Sequence, residues 1–291
     1  ITIFSAKQAA EGMAELAAQG FKAEQVYQSM PGVLKLASIE GIKMSEAAKI
    51  ASAAIHQFGL EAKDMNMVAD VLAKTSSSSA TTVKSLGYSM QYIGTISHAT
   101  NQSFLDIAAA LGVLGNAGRV GESAGTGLRA MLLSLDNPTR KAAEMLKYLE
   151  INVRGANGEI LPMSKLIDAL QPVLNTAGAG AKIFAKRWSD VEPLLRAGGK
   201  AFNDISKEVR NFSGEADRMS EKIRSGLKGT FEAFKSNLET LAIQFGKILE
   251  PIADAVLQFG LKVSKGLSTA LNIFAELPVP IQLAAAALGV F

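Results

Sequence analysis

From residue 231 to 259 the sequence sets an apolar side chain at alternating steps of three and four without a miss. These are Phe231, Phe234, Leu238, Leu241, Phe245, Ile248, Ile252, Ala255 and Phe259. An α-helix turns once in about 3.6 residues, so such steps stack the side chains along one face. About four heptads of this stripe predict the seam of a coiled coil or helical hairpin. Pro251 falls inside it. Proline lacks an N–H and clashes with the preceding turn, which predicts two helices with their apolar faces turned to a common partner. The same spacing also fits an ordinary amphipathic helix folded back on its own domain.

The rest of the chain points the same way. It is rich in Ala, Leu and Gly, with only 6% aromatic residues. Ala and Leu favour helix, and a large sheet would need β-branched and aromatic runs. The fold class expected is therefore mostly α.

Gly and Pro cut the first 175 residues into short helical stretches. Apolar positions recur at helical spacing over 5–19, and Gly20 ends that run. Ser29-Met30-Pro31 is expected to open a second helix, with Pro in the first turn. Further helices are expected over 45–58, 64–74, 81–92, 103–114, 128–135, 137–150 and 163–174. Thr75–Ser79 reads as a polar loop leading into an N-cap. Ile151–Arg154 and Glu159–Leu161 flank Asn157-Gly158, a strong turn signal, and predict one small β-hairpin packed on the helices. Residues 1–175 are thus expected as a compact multi-helix domain. Residues 176–226 read as a charged helical linker region. Residues 227–291 read as long amphipathic, coiled-coil-like helices with an apolar end.

Charge and cysteine content exclude several functions. Thirty basic residues stand against 27 acidic ones, which is too balanced to predict a specific nucleic-acid partner. The chain has no Cys, so disulfides and thiolate metal sites are ruled out. No secretory leader is visible. The apolar run from Leu277 reads either as the start of a membrane span or as a buried or partner-facing helix. Opening at Ile1 and closing on an apolar segment, the chain reads as a piece of a longer protein.

Residues able to do chemistry are few. His56 lies beside Phe58 in a predicted helix and reads as packed; His98 lies in a polar stretch and reads as exposed. Neither belongs to a pair with metal-ligand spacing, so no metal is expected. Between 112 and 127 glycines crowd together. A phosphate loop would end in Gly-Lys-Ser/Thr, yet Gly127 is followed by Leu128-Arg129. A dinucleotide fingerprint would follow a strand, and here a helix precedes. Gly115, Gly118, Gly121, Gly125 and Gly127 are therefore expected to serve tight turns and close helix approach. Glu122-Ser123 matches a pair found in some peptidoglycan lytic transglycosylases, with Glu as general acid, but two residues recur by chance. Trp188 reads as a core anchor. No cofactor and no catalytic residue are expected.

Several motifs in order carry a resemblance. They are Ala10–Phe21, Met30–Leu34, Phe58-Gly59-Leu60, Val68–Ala73, Leu114–Gly118 with Gly121, Ala124–Thr126, Leu128-Arg129, and then Leu135, Pro138-Thr139 and Asn157-Gly158. Over about residues 5–175 the chain resembles the phage tail tape measure proteins. The resemblance implies a structural role in the lumen of a tail tube, where the chain templates assembly and tail length and leaves during genome delivery. It implies association with itself as a trimer or other small homo-oligomer. Tail tube and tail tip proteins, tail assembly chaperones and, on ejection, the host membrane are its other implied partners. Two alternatives remain from the residues: a membrane-active delivery segment, and an enzyme of the transglycosylase type.

Overall fold

A computed structural model describes residues 4–226, with Ser236 and Thr240 beyond them. The expected seam from Phe231 to Phe259 lies outside the described residues. The chain divides into two units, Ile1–Phe234 and Lys235–Phe291, and the helical body belongs to the first.

Helix α1 (Ala6–Ala18) opens on a capping box. Gln8 N–H donates to Ser5 Oγ at 3.3 Å, and Ser5 N–H donates to Gln8 Oε1 at 2.9 Å. Next come α2 (Ala23–Glu40), α3 (Met44–Gln57), a 3₁₀ turn at Ala62–Asp64, and α4 (Met65–Ser78). They are followed by α5 (Val83–Ala99), α6 (Phe104–Asn116) and α7 (Gly121–Asp136). Five shorter or kinked helices follow. These are α8 (Arg140–Tyr148), α9 (Met163–Ala169), α10 (Gln171–Leu174), α11 (Ala179–Phe184) and α12 (Trp188–Arg210). The described body ends with α13 (Glu215–Arg224).

The helices form two layers, built hairpin by hairpin. α1, α3, α5 and α7 pack side by side in that order, and α2, α4 and α6 pack in order in the layer opposite. α12 lies against α6 and α4, and α13 against α2 and α4. The odd helices begin at Ala6, Met44, Val83 and Gly121, which are 38, 39 and 38 residues apart. A hairpin that recurs at this period and stacks on its neighbour is the unit of a helical solenoid. Helical spacing, taken one segment at a time, does not reveal this repeat. The left-handed glycines Gly20 and Gly59, φ 91° and 65°, end α1 and the segment after α3 at the same period and are its visible trace.

Two punctuation marks act differently from expectation. α2 begins at Ala23 and runs through Pro31 instead of opening there. Pro31 frees the carbonyl of Tyr27, a residue 79% exposed, so water can take up the lost hydrogen bond. The serine run does not break the chain either, because α4 continues to Ser78. Thr75, Ser78 and Ser79 each turn a hydroxyl back onto the carbonyl four residues earlier, at 2.8, 2.7 and 2.6 Å.

The expected β-hairpin is corrected. Among the described residues there is no strand, only one antiparallel bridge between Arg154 and Ile160. Two backbone hydrogen bonds flank the turn: Gly155 N–H to Glu159 O at 2.8 Å and Leu161 N–H to Val153 O at 2.9 Å. The turn is instead tied down by Arg154. Its guanidinium donates to Gly158 O at 2.7 Å and to Asp136 O, at the end of α7, at 2.6 Å. With these contacts made to a helix end, a longer ladder is not needed to satisfy the loop.

Residues 176–226, expected as a linker region, are folded into the same body as the residues before them. α12 buries Val191, Leu194, Leu195, Phe202 and Val209. Each such side chain stabilises by about 2 kcal/mol when fully removed from water. The amphipathic spacing of α12 explains this, since its charges other than Asp190 lie away from the apolar stripe that meets α6, α4 and α9. α12 kinks at Gly198, whose φ of 77° and ψ of 174° are open only to glycine.

Candidate functional site

Around the α6–α7 junction several glycines bring the backbone close to its neighbours. Gly115, in the last turn of α6, faces Thr81, where a Cβ would stand 2.9 Å from the Thr81 Cβ. Gly125 faces α5, where a Cβ would stand 2.3 Å from Ser89 O. Gly127 faces α12, where a Cβ would meet the Asp190 Cβ at 2.6 Å. Gly118 and Gly121 have open space around them but take φ of 74° and 60°. Three of the five thus meet close neighbours, on the α4–α5 loop, α5 and α12, and the other two take a left-handed φ.

Asp190 stands over this segment with its side chain 12% exposed. Arg187 donates to it at 3.2 Å, Arg119 lies at 3.5 Å, and Ser123 Oγ donates at 3.5 Å. Two guanidiniums and a hydroxyl thereby compensate one nearly buried carboxylate. The cluster joins the α6–α7 loop to the start of α12. Asp190 lies far downstream of the loop in the chain, and no spacing in the sequence announces it.

A second carboxylate does similar work. Asp70 of α4, 8% exposed, accepts from Gly214 N–H and Ala216 N–H, both at 2.9 Å. It caps α13 from another helix, where capping side chains usually come from the residue just before the first turn. Glu40, which ends α2, serves α5 likewise by accepting from Val83 N–H and Lys84 N–H.

The two histidines belong to neither of these clusters. His56 sits on the rim of a cleft of about 380 Å³ lined by Phe21, Gln25, Gln28 and Lys63 among others. Its Nε2 is 3.0 Å from Gln19 O, and its ring meets Phe21 edge-on at 5.2 Å. His98 is exposed at the end of α5, with Gly59 close to its ring. Glu122 is exposed in the first turn of α7, and its neighbour Ser123 is engaged with Asp190. Trp188 is half-buried and stacks on Phe184 at 6.0 Å, with Gly180 packed under its ring. Among the described residues, no three His, Asp or Glu side chains converge as a metal site. Among them too, no helix is long and apolar enough to cross a membrane.

The sites built by this fold are thus joints between helices. The chain is 30% identical over 261 residues to the "Tape measure protein" of Pneumococcus phage Dp-1, covering 86% of this chain and 22% of that protein. It is 24% identical over 250 residues to the "Probable tape measure protein" of Escherichia phage P2, covering 82% of this chain and 31% of that protein. The chain therefore spans less than a third of the length of either curated relative. No solved structure matches it. The sequence model of the phage-related minor tail proteins matches residues 2–220, nearly all of the folded body, and the chain belongs to that family.

Proposed function

We propose that this chain is the compact helical domain of a tape measure protein, acting by packing and not by catalysis in the lumen of a phage tail tube. In this reading the stacked hairpins of 1–226 form an assembly domain. The seam of Phe231, Phe234, Leu238, Leu241, Phe245, Ile248, Ile252, Ala255 and Phe259 self-associates or docks on tube and tip proteins. The ruler runs onward from there, templates tail length, and leaves with the genome. Tail assembly chaperones would cover the apolar segments beforehand.

The observation that supports it best is how the fold uses its special residues: glycines serve helix contact, and buried carboxylates join helices. His56, His98 and Glu122 are left dispersed at the surface. Tail length in particles carrying in-frame deletions downstream of residue 226 in the full-length protein tests the reading. Shortening of about 1.5 Å per deleted residue is expected of a helical ruler. Unchanged tails would overturn it.

A further inference from the structure

α13 ends the described body, and its hold on that body differs in kind from that of α12. α12 is fixed by five fully covered apolar side chains, whereas α13 buries Ala216 and Ser220, with Met219 and Ile223 half-covered. Polar contacts join it to α2 and α4. Asp70 takes the two N–H groups of Gly214 and Ala216. Lys35 of α2 reaches Asp217 at 2.8 Å, and Ser77 of α4 donates to Glu215 at 3.1 Å. Beside them Arg218 pairs with Glu215 at 2.6 Å, and Lys74 with Glu208 of α12 at 3.0 Å.

We propose that α13 is a strap that opens as a unit about the turn at 211–214 while α1 to α12 stay folded. On α13 itself only Ala216 is a fully covered apolar residue, so the apolar cover that this helix gives up on opening is small. The clasp is of a kind that can be undone. A carboxylate freed from two N–H groups is taken up by water at once, whereas an uncovered leucine would have to find another apolar partner. Gly214, with φ 71°, supplies the turn about which the helix swings. Such a strap lets α13 part from the stacked core without breaking it. Its use in a tail rests on the assembly reading; the opening itself is a property of this chain.

Hydrogen exchange on the whole chain, followed peptide by peptide, tests it. In the unmodified protein the slowest amides of α13 are expected to exchange about a hundredfold faster than those of α4 and α6. Asp70→Asn is expected to speed α13 by a further tenfold, roughly, through loss of charge-assisted bonds, with α6 unchanged. Lys35→Ala gives a smaller rise confined to α13. Protection of α13 equal to that of α6 in the unmodified protein would overturn the proposal. So would acceleration of α6 in step with α13 in both variants, because the helix would then be part of one cooperative unit. Neither result bears on tail length, so failure of the strap and failure of the assembly reading are told apart.

Discussion

Gly125 on α7 lies so close to Ser89 on α5 that a Cβ on the glycine would stand 2.3 Å from the serine carbonyl oxygen. Ser89 Oγ in turn donates to Gly121 O at 2.7 Å. The two helices therefore meet backbone to backbone, with one hydrogen bond across the contact. Gly125→Ala should force them apart and destabilise the protein by about 3 kcal/mol. Gly118→Ala and Gly121→Ala meet no atoms and should each cost only about 1 kcal/mol, for the left-handed φ. Urea unfolding of the three variants decides between these mechanisms. Equal losses would mean that close approach is not what Gly125 provides.

Arg154 joins the turn at 155–158 to the last carbonyl of α7 through a forked set of hydrogen bonds. Arg154→Ala should cost about 1 to 2 kcal/mol, because Asp136 O and Gly158 O lose a charged donor. Arg154→Lys should recover less than half of that, since an ammonium cannot span both carbonyls as the planar fork does. Recovery of full stability by lysine in thermal unfolding would show that charge alone suffices.

α12 fills the groove over α6, α4 and α9, so a chain cut after residue 175 leaves the buried apolar faces of those helices without their cover. The 1–175 fragment should bind an apolar dye and lose cooperative thermal unfolding, while 1–226 keeps both native properties. A cooperative, dye-silent 1–175 fragment would support a domain boundary near residue 175.

Glu215 feels two opposing influences. Burial disfavours its charge, but Arg218, Ser77 and Lys74 together outweigh it and hold the carboxyl below its ordinary value. A depressed folded value means that the stabilisation is present above the unfolded value and is lost as pH falls through the folded one. The advantage of the unmodified protein over Glu215→Gln, read from urea midpoints, should be full at neutral pH. It should shrink between about pH 5 and pH 3. A difference that stays constant across that range would show that the carboxylate contributes nothing through its charge.

Much of the body is legible in the residues. Ser5 with Gln8, Ser103 before Phe104 and Gly20 after α1 are local signals, and local signals act wherever the chain goes. Helical spacing alone yields the mostly α class and the order of the long helices, because a 3.6-residue period needs no partner to be seen. The role expected of the 112–127 glycines rests on what the segment lacks, a Lys and a preceding strand. Which glycine turns and which touches is not readable, for that depends on what stands opposite each one. The same holds for the bonds that join Asp70 to Gly214, 144 residues away, and Asp190 to Arg119, 71 residues away. Charge pattern alone makes 176–226 a linker, since a solvated helix and a helix whose charges ring a docked face look alike in one dimension. Hydrophobic period and caps are properties of a segment and were determined by the sequence by itself. Stacking order, the helix-to-helix caps and the loss of the hairpin were decided only when the helices packed, because each is a property of two surfaces meeting.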